Sequence, residues 1–314
     1  VTGPRNRVGF ATGAQTVCDA TGTSKLADPL YGDWPLPAGI ERLICTPTFQ
    51  RLRRISQSGA SKYAHPLRTV TRFEHSVGVY LLLRRLGASE QEQVAGLLHD
   101  ISHTAFSHVI DIVFYSDEQD LHERLKGKFL NRPDLRAALG QMGYKPEDFL
   151  SDEPYTLLEQ PLPALCADRI DYSLRDAVTM GQIPISAAQT ILDDLTVYDG
   201  RIVLCTPAVA QQYVAIFQKV NDTYTDRREN YLYEMLARAI EMGLNSGALN
   251  QADLLTDDDV VEAKLRAAGD PRIEALFARL VDPPAAEVAA FVPTRPIKQR
   301  AIDPEVRPKS TQTP

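Results

Sequence analysis

Six histidines occur in the 314 residues, and five of them fall between His75 and His122. His75 stands in Arg72-Phe73-Glu74-His75, at the start of a predicted helix carrying Val77, Tyr80 and Leu81. His99 and Asp100 are adjacent near the end of the next predicted helix, and His103, four residues on, shares a face with His99 if that helix persists. His108 and the pair His122-Glu123 follow. Imidazole nitrogens and carboxylate oxygens on rigid elements are what a divalent metal needs, with positions left for water and substrate. His75, His99 and Asp100 supply three such donors. A fourth is available in Ala167-Asp168-Arg169-Ile170-Asp171-Tyr172, where Asp168, Tyr172 and Arg175 fall at i, i+4 and i+7 along one stripe. An acid, a phenol and a guanidinium on one stripe suit the lining of a metal-phosphate site. One helical histidine is ordinarily a core or surface residue. The cluster, the His-Asp pair and the downstream acids together point to a metal site.

The elements that must hold these residues are mostly helices. Thr46-Pro47 reads as an N-cap with proline at the first helical position. Ser89 and Glu92 read as a capping box ahead of Val94, Leu97 and Leu98. Pro163 reads as the start of a helix whose apolar side carries Leu165, Ile170, Leu174 and Val178. Asp199-Gly200 between Thr196-Val197-Tyr198 and Ile202-Val203-Leu204 predicts one hairpin. Ala208 to Gly243 reads as one long helix or two with a kink, and Thr256 and Asp270-Pro271 mark two more helix starts.

Composition narrows the function classes. The chain is 44% hydrophobic, which excludes disorder throughout, and its length allows one large domain. A net charge of −7 argues against general nucleic-acid binding, which needs a basic surface. No apolar run approaches the length of a membrane span, and Val1 to Ala14 is polar and Gly-rich, unlike a signal peptide. Cys18, Cys45, Cys166 and Cys205 lack paired spacing and read as free thiols of a cytoplasmic protein. Lys309 to Pro314 reads as a disordered tail.

His75, His99-Asp100 and a later Asp form the pattern of the HD-domain phosphohydrolase superfamily. The chain most closely resembles its deoxynucleoside triphosphate triphosphohydrolase branch, which includes the SAM-and-HD-domain protein. The resemblance is carried by Asp28-Pro29-Leu30-Tyr31-Gly32, Thr46 to Arg53, Arg72 to Gly78, Leu97 to His108 and Asp168 to Asp176. It implies an all-α HD-domain helical fold with a minor β-hairpin. Residues 1–281 would be the HD domain, with core motifs over 28–176 and a helical lid region over 208–281, and 282–314 a C-terminal extension and tail.

The resemblance also implies roles. His75, His99, Asp100 and Asp168 would hold one divalent metal (Mn, Fe, Co, Ni, Zn or Mg), and Asp171 would stand behind them as a supporting acid or a tie between helices. His103 and His122 would lie over the bond being cleaved, with Glu123 or Asp111 orienting His122. Arg72, His108, Arg169 and Tyr172 would grip phosphates, and Gln57 and Asp176 would read a sugar 3′-hydroxyl. Lys219, Arg227 and Tyr231 are candidates for the lid. Cys45 replaces the acid with which the family's activator site reads guanine, so activation of that kind is not expected. The activity implied is hydrolysis of a (deoxy)nucleoside triphosphate to nucleoside plus triphosphate by a homo-oligomer, dimer or larger. The alternatives are a nucleotide phosphatase, acting stepwise or on monophosphates, and an HD-type di-iron oxygenase.

Overall fold

A computed structural model describes residues 15–18, 24–114, 120–295 and 297–307. The polar stretch Val1 to Ala14 and the tail from Lys309 lie outside them, as does the side chain of Cys18. The chain begins with a three-stranded antiparallel sheet, β1 (Gln15–Cys18), β2 (Ser24–Asp28) and β3 (Gly32–Pro35), which the sequence reading omitted. Asp28 closes the β2–β3 turn by accepting from the Leu30 and Tyr31 amides, and Gly32 takes the positive φ that follows.

Helices then follow as α1 (Ala38–Ile44), α2 (Pro47–Gln50), α3 (Arg72–Arg85), α4 (Glu90–Leu98), α5 (Val109–Val113), α6 (Leu121–Leu130) and α7 (Pro133–Gln141). The second half holds α8 (Ala167–Thr179), α9 (Ile185–Asp194), the hairpin β4 (Leu195–Tyr198) and β5 (Arg201–Leu204), α10 (Pro207–Thr225), α11 (Arg227–Ser246), α12 (Asp258–Ala267), α13 (Pro271–Val281) and α14 (Ala285–Ala290). The hairpin forms where expected, with Asp199 and Gly200 both left-handed between the paired Tyr198 and Arg201.

Several local readings hold and others need correction. Thr46 caps α2 through the Phe49 amide, with Pro47 first in the helix. Ser89 caps α4 through the Glu92 amide, but Glu92 does not reciprocate. Its carboxylate accepts instead from the Leu157 and Leu158 amides, tying down the loop before α8. The reciprocal capping box is at Thr71 and Glu74, opening α3. Pro163 does not start α8: Leu165 is extended, bridging to Ile202, and the helix begins at Ala167. Of the two readings of 208–243 the second holds: two helices meet at Asp226, which ends α10 and caps α11 through the Arg228 amide.

Two apolar clusters organise the packing. The larger joins α1–α4 and α6–α10 around Phe49, Phe73, Leu81, Leu97, Ile170, Leu174 and Tyr213. The second joins α5, α11, α12 and α13 around Phe106, Ile110, Leu236, Ile240 and Phe277. Each fully buried Phe or Leu contributes roughly 1.5–3 kcal/mol. Helix α3 is buried on nearly every face, and α8 crosses it so closely that a Cβ on Gly78 would lie 2.0 Å from Asp171 Oδ2. Only glycine admits this approach.

Candidate functional site

The close crossing of α3 and α8 brings the first chemistry-bearing residues together. The capping box fixes the start of α3, so His75 stands one turn in, fully buried. Its Nε2 lies 2.9 Å from Asp168 Oδ1 on the first turn of α8. His99 ends α4 as its C-cap and places Nε2 3.2 Å from that of His75 and 3.5 Å from Asp168 Oδ1. Asp100, next in the chain, holds Oδ1 3.6 Å from His99 Nε2 and Oδ2 3.7 Å from His75 Nε2. Two imidazole nitrogens and two carboxylates thus converge from three elements.

The far side of each ring is already engaged. His75 Nδ1 lies 2.8 Å from Asp171 Oδ1, and His99 Nδ1 lies 2.7 Å from the Gly96 carbonyl. With Nδ1–H donating outward on each ring, it is Nε2 that faces the cluster, and a metal binding there would displace its proton and take its lone pair. This donor set is compatible with a divalent cation.

Asp171 is itself held. It accepts from Tyr31 Oη at 2.8 Å, from Arg175 Nε at 3.0 Å and from Arg175 Nη2 at 2.9 Å, while Arg175 Nη1 reaches Asp28 at 3.0 Å. Asp28, Asp171 and Arg175 are all buried, with one guanidinium shared between the two carboxylates in a closed hydrogen-bonded network. The Asp28-Pro29-Leu30-Tyr31 motif therefore acts at a distance, by fixing the ring of His75. Burial pushes the His75 pKa down, but hydrogen bonds to Asp168 and Asp171 outweigh it and raise it to about 10. Burial pushes Asp168 up, and the hydrogen bonds from His75 and His99 hold it well below the usual carboxylate range instead.

A second group surrounds Asp100. His103 does not share a helix face with His99, because the chain leaves α4 at His99 and turns through Phe106 and Ser107 at positive φ. That turn still places His103 Nε2 3.2 Å from Asp100 Oδ1. His122, near the start of α6, stacks on His103 with ring centroids 4.2 Å apart, and His108 meets His103 edge-on at 5.0 Å. Asp111 takes His108 Nδ1 at 2.9 Å and the Leu121 amide, so it positions α6 rather than bonding His122. Asp120 makes no side-chain cap there. His122 Nδ1 is buried with no hydrogen-bond partner. Burial, then the charge of His108, lowers the His122 pKa to about 3, and burial, then Arg72, holds His103 well below its ordinary value.

Both groups open into a cavity of about 450 Å³. All six residues expected to bind substrate line it: Gln57, Arg72, His108, Arg169, Tyr172 and Asp176. Glu123 lines it as well. Several are already engaged. Arg72 donates to Asp100 at 2.6 Å and to Ser107, and Arg169 donates to the Ala164 and Gln160 carbonyls and to Glu159. Asp176 accepts from Tyr224 Oη. Gln57 Oε1 is buried and unpartnered. Glu159 is pushed up to about 7 by burial and then by the charge of Asp168.

The lid candidates fall elsewhere. Lys219 is exposed, Arg227 donates to the Ala289 carbonyl, and Tyr231 bonds Glu287. Tyr224, Glu229, Asn230 and Tyr233 line the cavity instead, together with Arg295, Lys298 and Arg300 from beyond α14. Sequence reasoning missed these. The α10–α11 residues were within reach of a helix-register argument, whereas the three C-terminal cations carry no local signal.

Comparison with known proteins agrees with this geometry. The HD domain family model matches residues 72–176, the span from the start of α3 to Asp176. The Bacillus subtilis protein YdhJ is 41% identical over 255 residues, covering 81% of this chain and 78% of its own. The metal-dependent phosphohydrolase cns2 of Cordyceps militaris is 32% identical over 300 residues, covering 92% and 86%. Human deoxynucleoside triphosphate triphosphohydrolase SAMHD1 is 34% identical over 161 residues, 43% of this chain and 26% of that protein. The chain is a hydrolase and belongs to the HD-domain metal-dependent phosphohydrolase superfamily.

Proposed function

We propose that this enzyme hydrolyses a nucleotide phosphoester, cleaving a (deoxy)nucleoside triphosphate to nucleoside plus triphosphate. The observation that carries the reading is a single cavity lined by His99, Asp100 and Asp168 of the donor cluster, the stacked His103–His122 pair and the Gln57 and Asp176 side chains. His75, His99, Asp100 and Asp168 would hold one divalent ion. When bound, that ion supplies Lewis-acid polarisation of a phosphoryl oxygen.

The remaining work falls to the chain. Arg72, His108, Arg169 and Tyr172 bind phosphate oxygens and fix the α-phosphorus beside the His103–His122 pair. The Gln57 amide, donating through its NH₂, and the carboxylate of Asp176, accepting, bracket a sugar hydroxyl in the cavity they both line. Both rings of the stacked pair are neutral near pH 7, and an incoming phosphate raises their basicity. His103 or His122 then takes a proton from the attacking water and returns it to the departing 5′-oxygen, with Glu123 at the cavity edge near His122. The water oxygen joins phosphorus and the phosphorus–5′-oxygen bond breaks, which releases nucleoside.

A phosphatase acting stepwise or on monophosphates would use the same residues. Product analysis separates the two: triphosphate from the first, orthophosphate from the second. The third reading, a di-iron oxygenase, draws on the second donor group of Asp100, His103 and His122. Metal analysis tests it, because two irons per chain with dioxygen uptake would replace the hydrolytic assignment for these residues. The proposal extends to a cytoplasmic homo-oligomer, dimer or larger, which light scattering on the purified protein would check. Among the described residues no helix is long and apolar enough to cross a membrane.

A further inference from the structure

Eight carboxylates line the cavity: Asp100, Glu123, Asp152, Glu159, Asp168, Asp176, Glu229 and Glu234. Arg72 and Arg169, assigned above to the phosphates, each also serve one of these acids, so an anionic substrate gains from a further cation that is not shared in this way. Arg68 is paired with Glu229, and Arg72 with Asp100. Arg169 is held by Glu159 and two carbonyls. Arg295 donates to the Ile112 carbonyl. Arg300 is the cavity-lining guanidinium that has no hydrogen bond or ion pair among the described residues.

Its backbone is nevertheless fixed from both sides. Before it, Gln299 Oε1 accepts from Asn221 Nδ2 of α10. After it, Ile302 is buried in the larger core, the Asp303 amide donates to the Pro163 carbonyl, and 305–307 pairs with Leu204 of β5. The segment is thus sewn to α10, to the α8 entry loop and to the hairpin, and Arg300 lies between the stitches. Its charge reaches the buried Tyr172 phenol, where it opposes the upward push of burial on that group. Arg300 lines the same cavity as Arg169 and Tyr172.

We propose that Arg300 is a substrate-binding residue whose guanidinium takes a phosphate group of the substrate, so that the segment after α14 completes the active site. This rests on the reading above that the cavity receives the substrate phosphates. A planar, permanently charged fork that is pre-positioned and uncommitted is the group best suited to that task.

The test is calorimetric titration of the metal-loaded enzyme with inorganic triphosphate, alongside steady-state hydrolysis of a nucleotide panel. Arg300→Gln, Arg300→Lys and Arg307→Gln are compared with the wild type. Arg307, on the same segment, is exposed and paired with Glu305, so its variant serves as the control. One charge-assisted contact corresponds to about tenfold to hundredfold weaker binding when lost. Arg300→Gln is expected to weaken triphosphate by that factor and raise KM similarly, with kcat changed far less. Arg300→Lys should recover part of the loss, and Arg307→Gln should match the wild type. Unchanged triphosphate affinity and KM in folded Arg300→Gln, while nucleotides are still hydrolysed, would overturn this proposal and leave the nucleotide reading intact. Arg300-dependent triphosphate binding with no nucleotide hydrolysed would overturn the nucleotide reading and uphold Arg300.

Discussion

Asp171→Asn probes the support behind the donor cluster. The carboxylate is fully buried and meets four donors, with Oδ1 facing His75 Nδ1 and Arg175 Nε, and Oδ2 facing Tyr31 Oη and Arg175 Nη2. An amide of the same shape must turn its NH₂ toward one of these pairs. The cheaper choice faces Tyr31, whose hydroxyl can rotate to accept, but it sets NH₂ against Arg175 Nη2. Breaking a buried ion pair costs about 3–5 kcal/mol. Arg175 keeps Asp28 at 3.0 Å, which places the loss near about 3 kcal/mol. The neutral amide also orients the His75 ring more weakly, and loss of such a partner typically reduces metal affinity about 10–100-fold. Tyr31→Phe provides the contrast. It removes one hydrogen bond to a charged group, about 1.5–3 kcal/mol, and leaves the His75–Asp171 contact in place. Urea denaturation of chelated protein measures the first quantity, and competitive metal titration the second. Both variants should lose stability, but Asp171→Asn alone should lose metal affinity. Equal metal affinity in Asp171→Asn and the wild type would refute the claim that this network sets the His75 donor.

Gly78→Ala should be among the most damaging single-methyl additions, because its Cβ would press on Asp171 Oδ2 at 2.0 Å and Arg175 Nη2 at 2.2 Å. Helices α3 and α8 must separate or the ion pair must split, so chemical denaturation should show a loss of about 3 kcal/mol or more. His122 carries a pH signature in the chelated protein. Its folded pKa of about 3 lies below the unfolded value near 6.5, so its neutral form favours folding above pH 6.5, and that stability drains as pH falls toward 3. Relative to His122→Asn, the wild type should therefore lose on the order of 1 kcal/mol between pH 7.5 and 5.5. His75, raised to about 10, acts with the opposite sign, present at low pH and lost as pH rises through 10. The comparison must for that reason be made between the two proteins at each pH, and parallel pH profiles would contradict the burial argument.

Much of the site was legible because its chemistry depends on residue types that are rare in this chain. With only six histidines, the run from His75 to His122 together with Asp168 and Tyr172 identified the elements that meet at the cavity, whereas Arg175, read into the same lining, turns behind His75 to pair with Asp171 and Asp28. The order and approximate starts of the helices followed from caps such as Thr46-Pro47 and Asp270-Pro271, both of which form. The N-terminal sheet was not legible, because strands of four or five residues such as Gly32-Asp33-Trp34-Pro35 show no alternation of apolar and polar residues. Pro163 misled for a physical reason. A proline fits the first turn of a helix equally well as an extended loop, and here the pairing of Leu165 with Ile202 decides for the loop. The role of Asp171 between α3 and α8, the contact of His122 with His103, and the return of Arg300 to the cavity all depend on tertiary packing. No local pattern encodes them.

The central claim is tested most directly by identifying products by mass spectrometry. Purified enzyme would be loaded with Mn, Co, Fe or Mg and given ribo- and deoxyribonucleoside mono-, di- and triphosphates, with Asp168→Ala as control. The account predicts metal-dependent release of nucleoside and intact triphosphate, absent in Asp168→Ala. Orthophosphate as the first product would contradict cleavage at the α-phosphorus, and equal turnover by Asp168→Ala would contradict the assignment of this cluster as the catalytic metal site.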